Sequence, residues 1–294
     1  MMLRLRLARL LLSLTLSLAA ATPVAAAQGG GESIPWFAGG IDAAFVQARE
    51  KGQPLFLYWG ASWCPPCNEI QATVFRRAEF IERSRRFVPV KIDGDQPGAQ
   101  ALADRFRVRN YPTMILFSST GQEVTRLQGE ADMGMFLQAL SLALGSVRTA
   151  REVIDLALGA EPRRVRAAEW TLLSSYFWET DEGALFPPAQ LPGGLLQLAR
   201  ACPSSQRADC DRLAFAGVAA AARGATPLTE ADRAWALARA RKVIADGARS
   251  RMVFDALAGY GPGMVEQLLP PGDERRGPHR KSPAAAPGGP ILAP

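Results

Sequence analysis

The chain has 294 residues and a formal net charge of +6 at pH 7, a length that allows two modest domains. Its 34 basic residues are scattered among 28 acidic ones, without the basic face or stripe that binds nucleic acid. We therefore exclude nucleic acid as a partner and expect individual motifs to define the function.

The first 27 residues have the pattern of a secretory signal peptide. Three arginines precede an apolar run over residues 10–21, and three alanines at 25–27 follow as small residues for cleavage. The run is short for a membrane-spanning helix, and an uncleaved anchor is the alternative, with membrane contact only in that case. We expect cleavage near Ala27 and export to the periplasm. The signal arginines account for half of the +6 charge.

Residues 32–148 alternate between strand and helix patterns. A continuous apolar run predicts a strand at residues 55–59, and three further strands are predicted at residues 87–92, 113–117 and 123–127. Helical spacing of apolar residues predicts helices at residues 41–51, 64–75, 97–106 and 133–144. Alternation of strands and helices requires a parallel strand pair, and the turn at 118–121 adds antiparallel strands. The pattern predicts an α/β domain with a mixed central sheet and helices on both faces.

Residues 149–268 differ in composition, because alanine, leucine and arginine dominate and β-branched residues become rare. The expected helices lie at residues 152–158, 165–178, 195–201, 207–222, 230–246 and 250–260. We predict an all-α C-terminal domain over 149–268. Residues 269–294, rich in proline and glycine and containing His279, are expected to be a disordered tail.

The stretch WGASWCPPCNEI places Cys64 and Cys67 behind a predicted strand and at the start of a predicted helix. This spacing suits a redox pair, half of a metal site or a structural disulfide. Backbone N–H groups at a helix N-terminus stabilise a thiolate, which favours the redox pair. Pro65 and Pro66 remove two backbone donors and fix two φ angles between the cysteines. We expect Cys64 to be exposed and Cys67 to lie against the base of the helix.

The segment around Cys64 resembles the thioredoxin superfamily, whose motif is Trp-Cys-x-x-Cys after a central strand. The resemblance continues in VRNYPT at 108–113, Gly121 and Gly129, and it covers about residues 36–145. The run FRRAEFIERSRRFVPVKID is similar to the exported branch that includes the C-terminal domains of membrane thiol:disulfide interchange reductases. The implied fold is thioredoxin-like.

The resemblance also implies an activity, thiol–disulfide oxidoreduction without a cofactor. Cys64 would be the attacking thiol and Cys67 the resolving thiol. Pro112, following a cis peptide bond, would face them, and the backbone of Tyr111 would pair with an extended substrate. Trp63 would flank the groove. Ordinary packing is the alternative for Trp63 and Tyr111.

The chain departs from the family pattern beside the cysteines. Tyr58 occupies the position where many members have a buried acid, and Ser62 replaces another common acid. The proton acceptor for Cys67 is therefore unassigned, since Glu69 is expected to be exposed. No histidine separates the cysteines, which favours a reductant or exchange role. The implied partners are client proteins with disulfides and a thiol electron donor or acceptor.

Cys202 and Cys210 form a second close pair, which we interpret as a structural disulfide because export favours disulfides. A second exchange site that relays electrons to Cys64 is the alternative. No metal site is expected, because the second pair has an unusual spacing and the only histidine lies in the tail.

A function of another class is also open, a non-catalytic scaffold whose helical domain captures a partner. The aromatic residues that could mark such a surface are Trp170, Phe177, Trp178 and Trp235. At helical spacing they are also typical of a core.

Overall fold

The computed structural model describes residues 33–127, 133–145, 148–181, 183–224, 226–269 and 273. The predicted signal peptide, Gly129 and residues 274–294 of the predicted tail lie outside these ranges. Among the described residues, no helix has both the length and the apolar character needed to cross a membrane.

A four-stranded mixed sheet forms the centre of the N-terminal half. Its strands are β1 (Leu55–Gly60), β2 (Val88–Asp93), β3 (Thr113–Phe117) and β4 (Glu123–Leu127). The spatial order is β2-β1-β3-β4. β1 pairs with β2 in parallel, and β3 is antiparallel to both β1 and β4. The mixed sheet is as predicted.

The helices of this half are α1 (Ile41–Lys51), α2 (Pro65–Thr73), α3 (Ala78–Ser84), α4 (Ala99–Phe106) and α5 (Met133–Leu144). The separate helix α3 is not among the helices predicted from apolar spacing, since it spans only seven residues. Phe80, Ile81 and Ser84 nevertheless lie buried on one side of it.

Successive residues of β1 point to opposite faces of the sheet, as the period of a strand requires. Phe56 and Tyr58 join an apolar core with α2, α3 and α5. Leu55, Leu57 and Trp59 join a second core with α1 and α4. Helices therefore cover both faces, which explains why β1 reads as a continuous apolar run.

The C-terminal half is helical. Its α-helices are α6 (Ala150–Leu158), α7 (Ala167–Ser174), α8 (Leu191–Ala201), α9 (Arg207–Arg223), α10 (Glu230–Ala245), α11 (Gly247–Met252) and α12 (Phe254–Leu268). They share an apolar core of their own, which contains Trp170 and Trp178. Because these two indoles are buried, they do not mark a partner-binding surface.

Three of the predicted helices were wrong in extent by more than three residues, and the one predicted over residues 195–201 begins at Leu191. The helix predicted over residues 165–178 ends at Ser174, and a 3₁₀ turn follows at Trp178–Thr180. The N–H of Phe177 instead donates to the carbonyl of Arg126 on β4, so a tertiary contact replaces the next helical bond.

The helix predicted over residues 250–260 is two helices. The carboxylate of Asp246 caps α11 by accepting from the N–H groups of Ala248 and Arg249. The backbone of Val253 (φ −127°, ψ 24°) then leaves the helical region before α12.

The two halves meet at Arg126, whose side chain is fully buried. Its guanidinium donates to the Glu123 carboxylate and to the backbone carbonyls of Phe106, Arg107 and Thr180. Burial alone would lower the pKa of Arg126, but the Glu123 carboxylate more than offsets that effect and raises it. The described residues from Ser33 onward thus pack as one compact unit.

Candidate active site

The cysteine pair lies where β1 ends and α2 begins. Cys64 is the N-cap residue of α2, and its Sγ accepts a hydrogen bond from the N–H of Cys67 at 3.2 Å. The two sulfur atoms form a disulfide, with the Cα atoms 5.2 Å apart. The first cysteine sulfur is therefore in the position where helix N–H groups stabilise negative charge.

The predicted exposure of Cys64 is wrong. Only 2% of Cys64 is exposed in this disulfide form, and Cys67 is fully buried. The physical reason is that the disulfide ties the Cys64 sulfur to the fully buried Cys67, within the apolar core that also contains Tyr58 and Ile70. The adjacent Trp63 is the exposed residue of the motif, at 63%.

The rim of the site is aromatic. The indole of Trp63 contacts the ring of Tyr111 edge-on, with 5.5 Å between the ring centroids. Its Nε1–H donates to the Asp95 carboxylate at 2.6 Å. A Cβ on Gly94 would lie 2.0 Å from the Tyr111 hydroxyl oxygen, so only glycine leaves room for this ring. Asp95 and Gly94 were not identified from the sequence as site residues.

The Tyr111–Pro112 peptide bond is cis, as the resemblance implied. Thr113, the next residue, pairs with Trp59 across the sheet, which brings this loop to the end of β1 that leads to the cysteines. No backbone hydrogen bond joins Tyr111 to another described residue. Its main chain is therefore open to pairing with another segment.

Polar groups rather than a carboxylate lie behind Cys67. The Tyr58 hydroxyl donates to the Cys67 carbonyl at 3.4 Å, and the Gln71 amide donates to the same oxygen at 3.3 Å. Lys91 donates to the Gln71 side-chain oxygen at 2.5 Å. Glu69 is exposed, as expected.

Burial raises the pKa of Tyr58 to about 12, and a hydrogen bond with Gln71 offsets part of this effect. The phenol is therefore neutral near pH 7 and is a hydrogen-bond donor rather than a base. Gln71 and Lys91 were missed as site residues. The available signal was the lysine inside the apolar β2 run, which the parallel register places beside Tyr58.

The second cysteine pair is also a disulfide. It joins the end of α8 to α9, with 5.5 Å between the Cα atoms of Cys202 and Cys210. The short connection contains a 3₁₀ turn, Ser204–Gln206. Within the described ranges, no three histidine, cysteine, aspartate or glutamate side chains group in a way that could hold a metal ion.

Comparison with known proteins gives the class of this site. Residues 41–144 match the family model described as a thioredoxin-like domain. This range contains the whole sheet, the Cys64–Cys67 pair and the cis proline. Residues 41–144 are therefore a thioredoxin-like domain.

Similar curated proteins are named for a particular reaction, thiol:disulfide interchange. The chain is 30% identical over 107 residues to thiol:disulfide interchange protein DsbD 1 of Pseudomonas aeruginosa, a match that covers 35% of this chain and 18% of that protein. It is 30% identical over 99 residues to DsbD of Yersinia pestis, covering 32% of this chain and 17% of the relative. The chain thus matches about a fifth of the length of these curated relatives.

Solved structures also align with this domain. An oxidoreductase named DsbH aligns at 21% identity and a TM-score of 0.35, over 45% of this chain and 94% of its own. A putative disulphide isomerase from Bacteroides thetaiotaomicron aligns at 26% identity and a TM-score of 0.35, over 40% of this chain and 98% of its own.

Proposed function

We propose that the protein is an exported thiol–disulfide oxidoreductase that reduces or exchanges disulfides in client proteins. The observation that carries the proposal is the Cys64 sulfur at the N-cap of α2, bonded to Cys67 and beside the Tyr111–Pro112 loop. The relatives named as thiol:disulfide interchange proteins support the same reaction.

The reaction begins with the reduced pair. The Cys64 thiolate attacks one sulfur of the client disulfide, and the other client sulfur leaves as a thiolate that takes up a proton. Cys67, once deprotonated, attacks the Cys64 sulfur and releases the second client thiol. The client gains two electrons, and the Cys64–Cys67 disulfide is formed. An external thiol donor returns the pair to the reduced state, and no cofactor is required.

The rim residues have proposed roles in binding. The free backbone of Tyr111 pairs with an extended client segment, with Pro112 facing the cysteines. Trp63 supplies an apolar contact at the edge. Because Cys64 is nearly covered in the disulfide form, the site must open locally before the thiol of the electron donor can reach the Cys64 sulfur.

The domain organisation completes the proposal. Residues 32–148 form the thioredoxin-like domain, and residues 149–268 form a helical domain. Apolar cores that are separate except for Leu172, which belongs to the core of the first region, support this division. Export rests on the signal-like pattern of residues 1–27.

Turnover of a model protein disulfide with a dithiol donor tests the activity. Cys64→Ser should abolish turnover, and Cys67→Ser should accumulate mixed disulfides that a non-reducing gel resolves. The matched control, with both Cys202 and Cys210 replaced by alanine, should retain turnover. If the wild-type protein reduces no protein disulfide when supplied with the donor, the non-catalytic scaffold becomes the better explanation.

A further inference from the structure

A pocket of about 460 Å³ opens in the helical half beside the second disulfide. This volume is in the range of sites for small molecules. Its charged lining residues are all basic, and they come from α8, α9, α10 and α11: Arg200, Arg207, Arg239, Lys242 and Arg249. Cys202 and Cys210 form part of its wall.

A buried carboxylate holds two of these arginines in place. Asp211 is fully buried, and its oxygens accept from Arg239 Nε at 2.7 Å and from Arg249 Nε and Nη2 at 2.7 Å. The Asp211 carboxylate therefore orients the guanidinium groups of both Arg239 and Arg249. The Nη groups of Arg239 have no hydrogen-bond partner among the described residues, so they are available to a ligand.

Trp235 holds a third arginine. Arg200 lies 4.5 Å and Arg239 lies 5.2 Å from the centroids of the Trp235 rings, distances typical of cation–π contacts. Arg200 is also paired with Asp232 at 2.6 Å. These contacts orient the planar guanidinium groups before any ligand arrives.

The pocket retains positive charge after its own ion pairs are counted. Five basic side chains line it, and three carboxylates act on them, from Asp211, Asp232 and Asp246. The excess is two positive charges. Arg207 and Lys242 supply it, because neither forms an ion pair within the part of the chain that the structure describes. A cleft lined by one sign of charge concentrates ions of the opposite sign.

We propose that this pocket binds a small anion with two or more negative charges on phosphate or carboxylate groups. Arginine suits such a ligand, because its planar fork binds these oxyanions through two parallel hydrogen bonds. The site is separate from the Cys64–Cys67 pair and does not depend on the proposed reaction.

Calorimetric titration of the full chain at low ionic strength tests the site, with inorganic phosphate and succinate as separate probes. Saturable binding of one anion per chain is expected, and comparison of the probes distinguishes phosphate from carboxylate ligands. Replacing both Arg207 and Lys242 with serine should raise Kd about tenfold or more, because hydrogen bonds to charged groups contribute on this order. Both residues are exposed, so the fold should be retained.

The matched control replaces Lys51 and Arg163, which are also exposed, with serine and removes the same charge. It should leave Kd unchanged. In the wild-type protein, phosphate should also slow acetylation of Lys242 relative to Lys51, as measured by mass spectrometry. Absence of saturable binding of both probes up to about 10 mM, ten times a 1 mM Kd, would overturn the proposal. An equal rise in Kd in the two double variants would also overturn the proposal.

Discussion

At the scale of single residues, Cys64 and Trp63 are neighbours with opposite surroundings. Cys64 lies inside the apolar core, and Trp63 projects into solvent with hydrogen-bonding and aromatic contacts to the rim. Large exposed aromatic residues beside a reactive group are typical of binding sites. The proposed function therefore places the reactive thiol and a client-binding side chain at adjacent positions in the chain.

Trp63→Ala should weaken the use of protein substrates without harming the fold. We expect KM for a protein disulfide to rise several-fold and the reaction with a small uncharged disulfide to be unchanged. The free energy of unfolding should change by about 0.5 kcal/mol or less, because the side chain is mostly exposed. Val46→Ala, a change at an exposed residue on α1, is the control. Equal losses with both substrates would show that Trp63 does not act in client binding.

Tyr58→Phe should alter the alkaline stability of the protein. Burial raises the pKa of Tyr58 from 10.0 to about 12 in the folded protein, so the unfolded chain loses this proton first. Stability therefore falls as pH rises from about 10 to 12, by about 2 to 3 kcal/mol in total for this group.

Denaturant unfolding at about pH 8 and pH 11 measures this effect. The variant should lose less stability between the two pH values than the wild-type protein loses. The variant also loses the hydrogen bond to the Cys67 carbonyl. Because each protein is compared with itself at the two pH values, that constant loss of stability does not affect the result. Equal losses would contradict the assigned role of Tyr58 burial.

At the scale of elements, the sequence predicts the parts whose signals are local. The bounds of α1, β3 and β4 agree with prediction, because apolar spacing and the flanking turns determine them. The C-terminal end of α7 and the break at Val253 lie next to contacts with distant segments, those of Phe177 with Arg126 and of Met252 with Arg212. Those contacts are not visible in a local pattern.

The candidate site also has some features that a local sequence motif predicts and others that depend on tertiary packing. The Cys64–Cys67 pair and the cis proline follow from motifs. The burial of Cys64 and the chain of contacts from Lys91 through Gln71 to Cys67 depend on how β2 and α2 pack together. Strand register and side-chain direction decide such contacts, and neither is encoded within one motif.

The second disulfide links the consecutive helices α8 and α9, and its loss should affect stability alone. Replacing Cys202 and Cys210 with alanine should lower the free energy of unfolding by about 2 to 3 kcal/mol, as expected for a short closed loop. Turnover at Cys64 should remain. Thermal unfolding and the turnover assay measure the two effects separately. A large loss of turnover in a folded double variant would instead support the electron relay.

At the scale of the whole molecule, a buried polar cluster joins the two halves. Besides the Arg126 contacts, the Tyr176 hydroxyl donates to Glu123 at 2.7 Å and contacts Asp181 at 3.1 Å. Burial, followed by the nearby Glu123 charge, raises the pKa of Tyr176 well above its ordinary value. Each polar group in this cluster has a partner, as buried groups require.

Arg126→Met should destabilise the protein by about 3 to 5 kcal/mol, because it leaves the partly buried Glu123 carboxylate without its positive partner and three carbonyls without their donor. The control Arg109→Met breaks an ion pair with Asp104 in which both side chains are more than half exposed. It should cost about 1 kcal/mol or less. Denaturant unfolding measures both changes. Similar costs for the two variants would contradict a structural role for the Arg126 cluster.

The position of Arg126 also bears on how the protein can be divided for study. Its guanidinium donates hydrogen bonds to the carbonyl groups of residues 106, 107 and 180. A fragment that stops after α5 therefore loses the Thr180 carbonyl, and it also loses the Tyr176 hydroxyl that donates to Glu123. Leu172, which packs into the core of the first half, is lost with them. A dissection at the family boundary would therefore cut through a shared surface. Fragments meant for crystallisation or NMR should extend at least to Asp181.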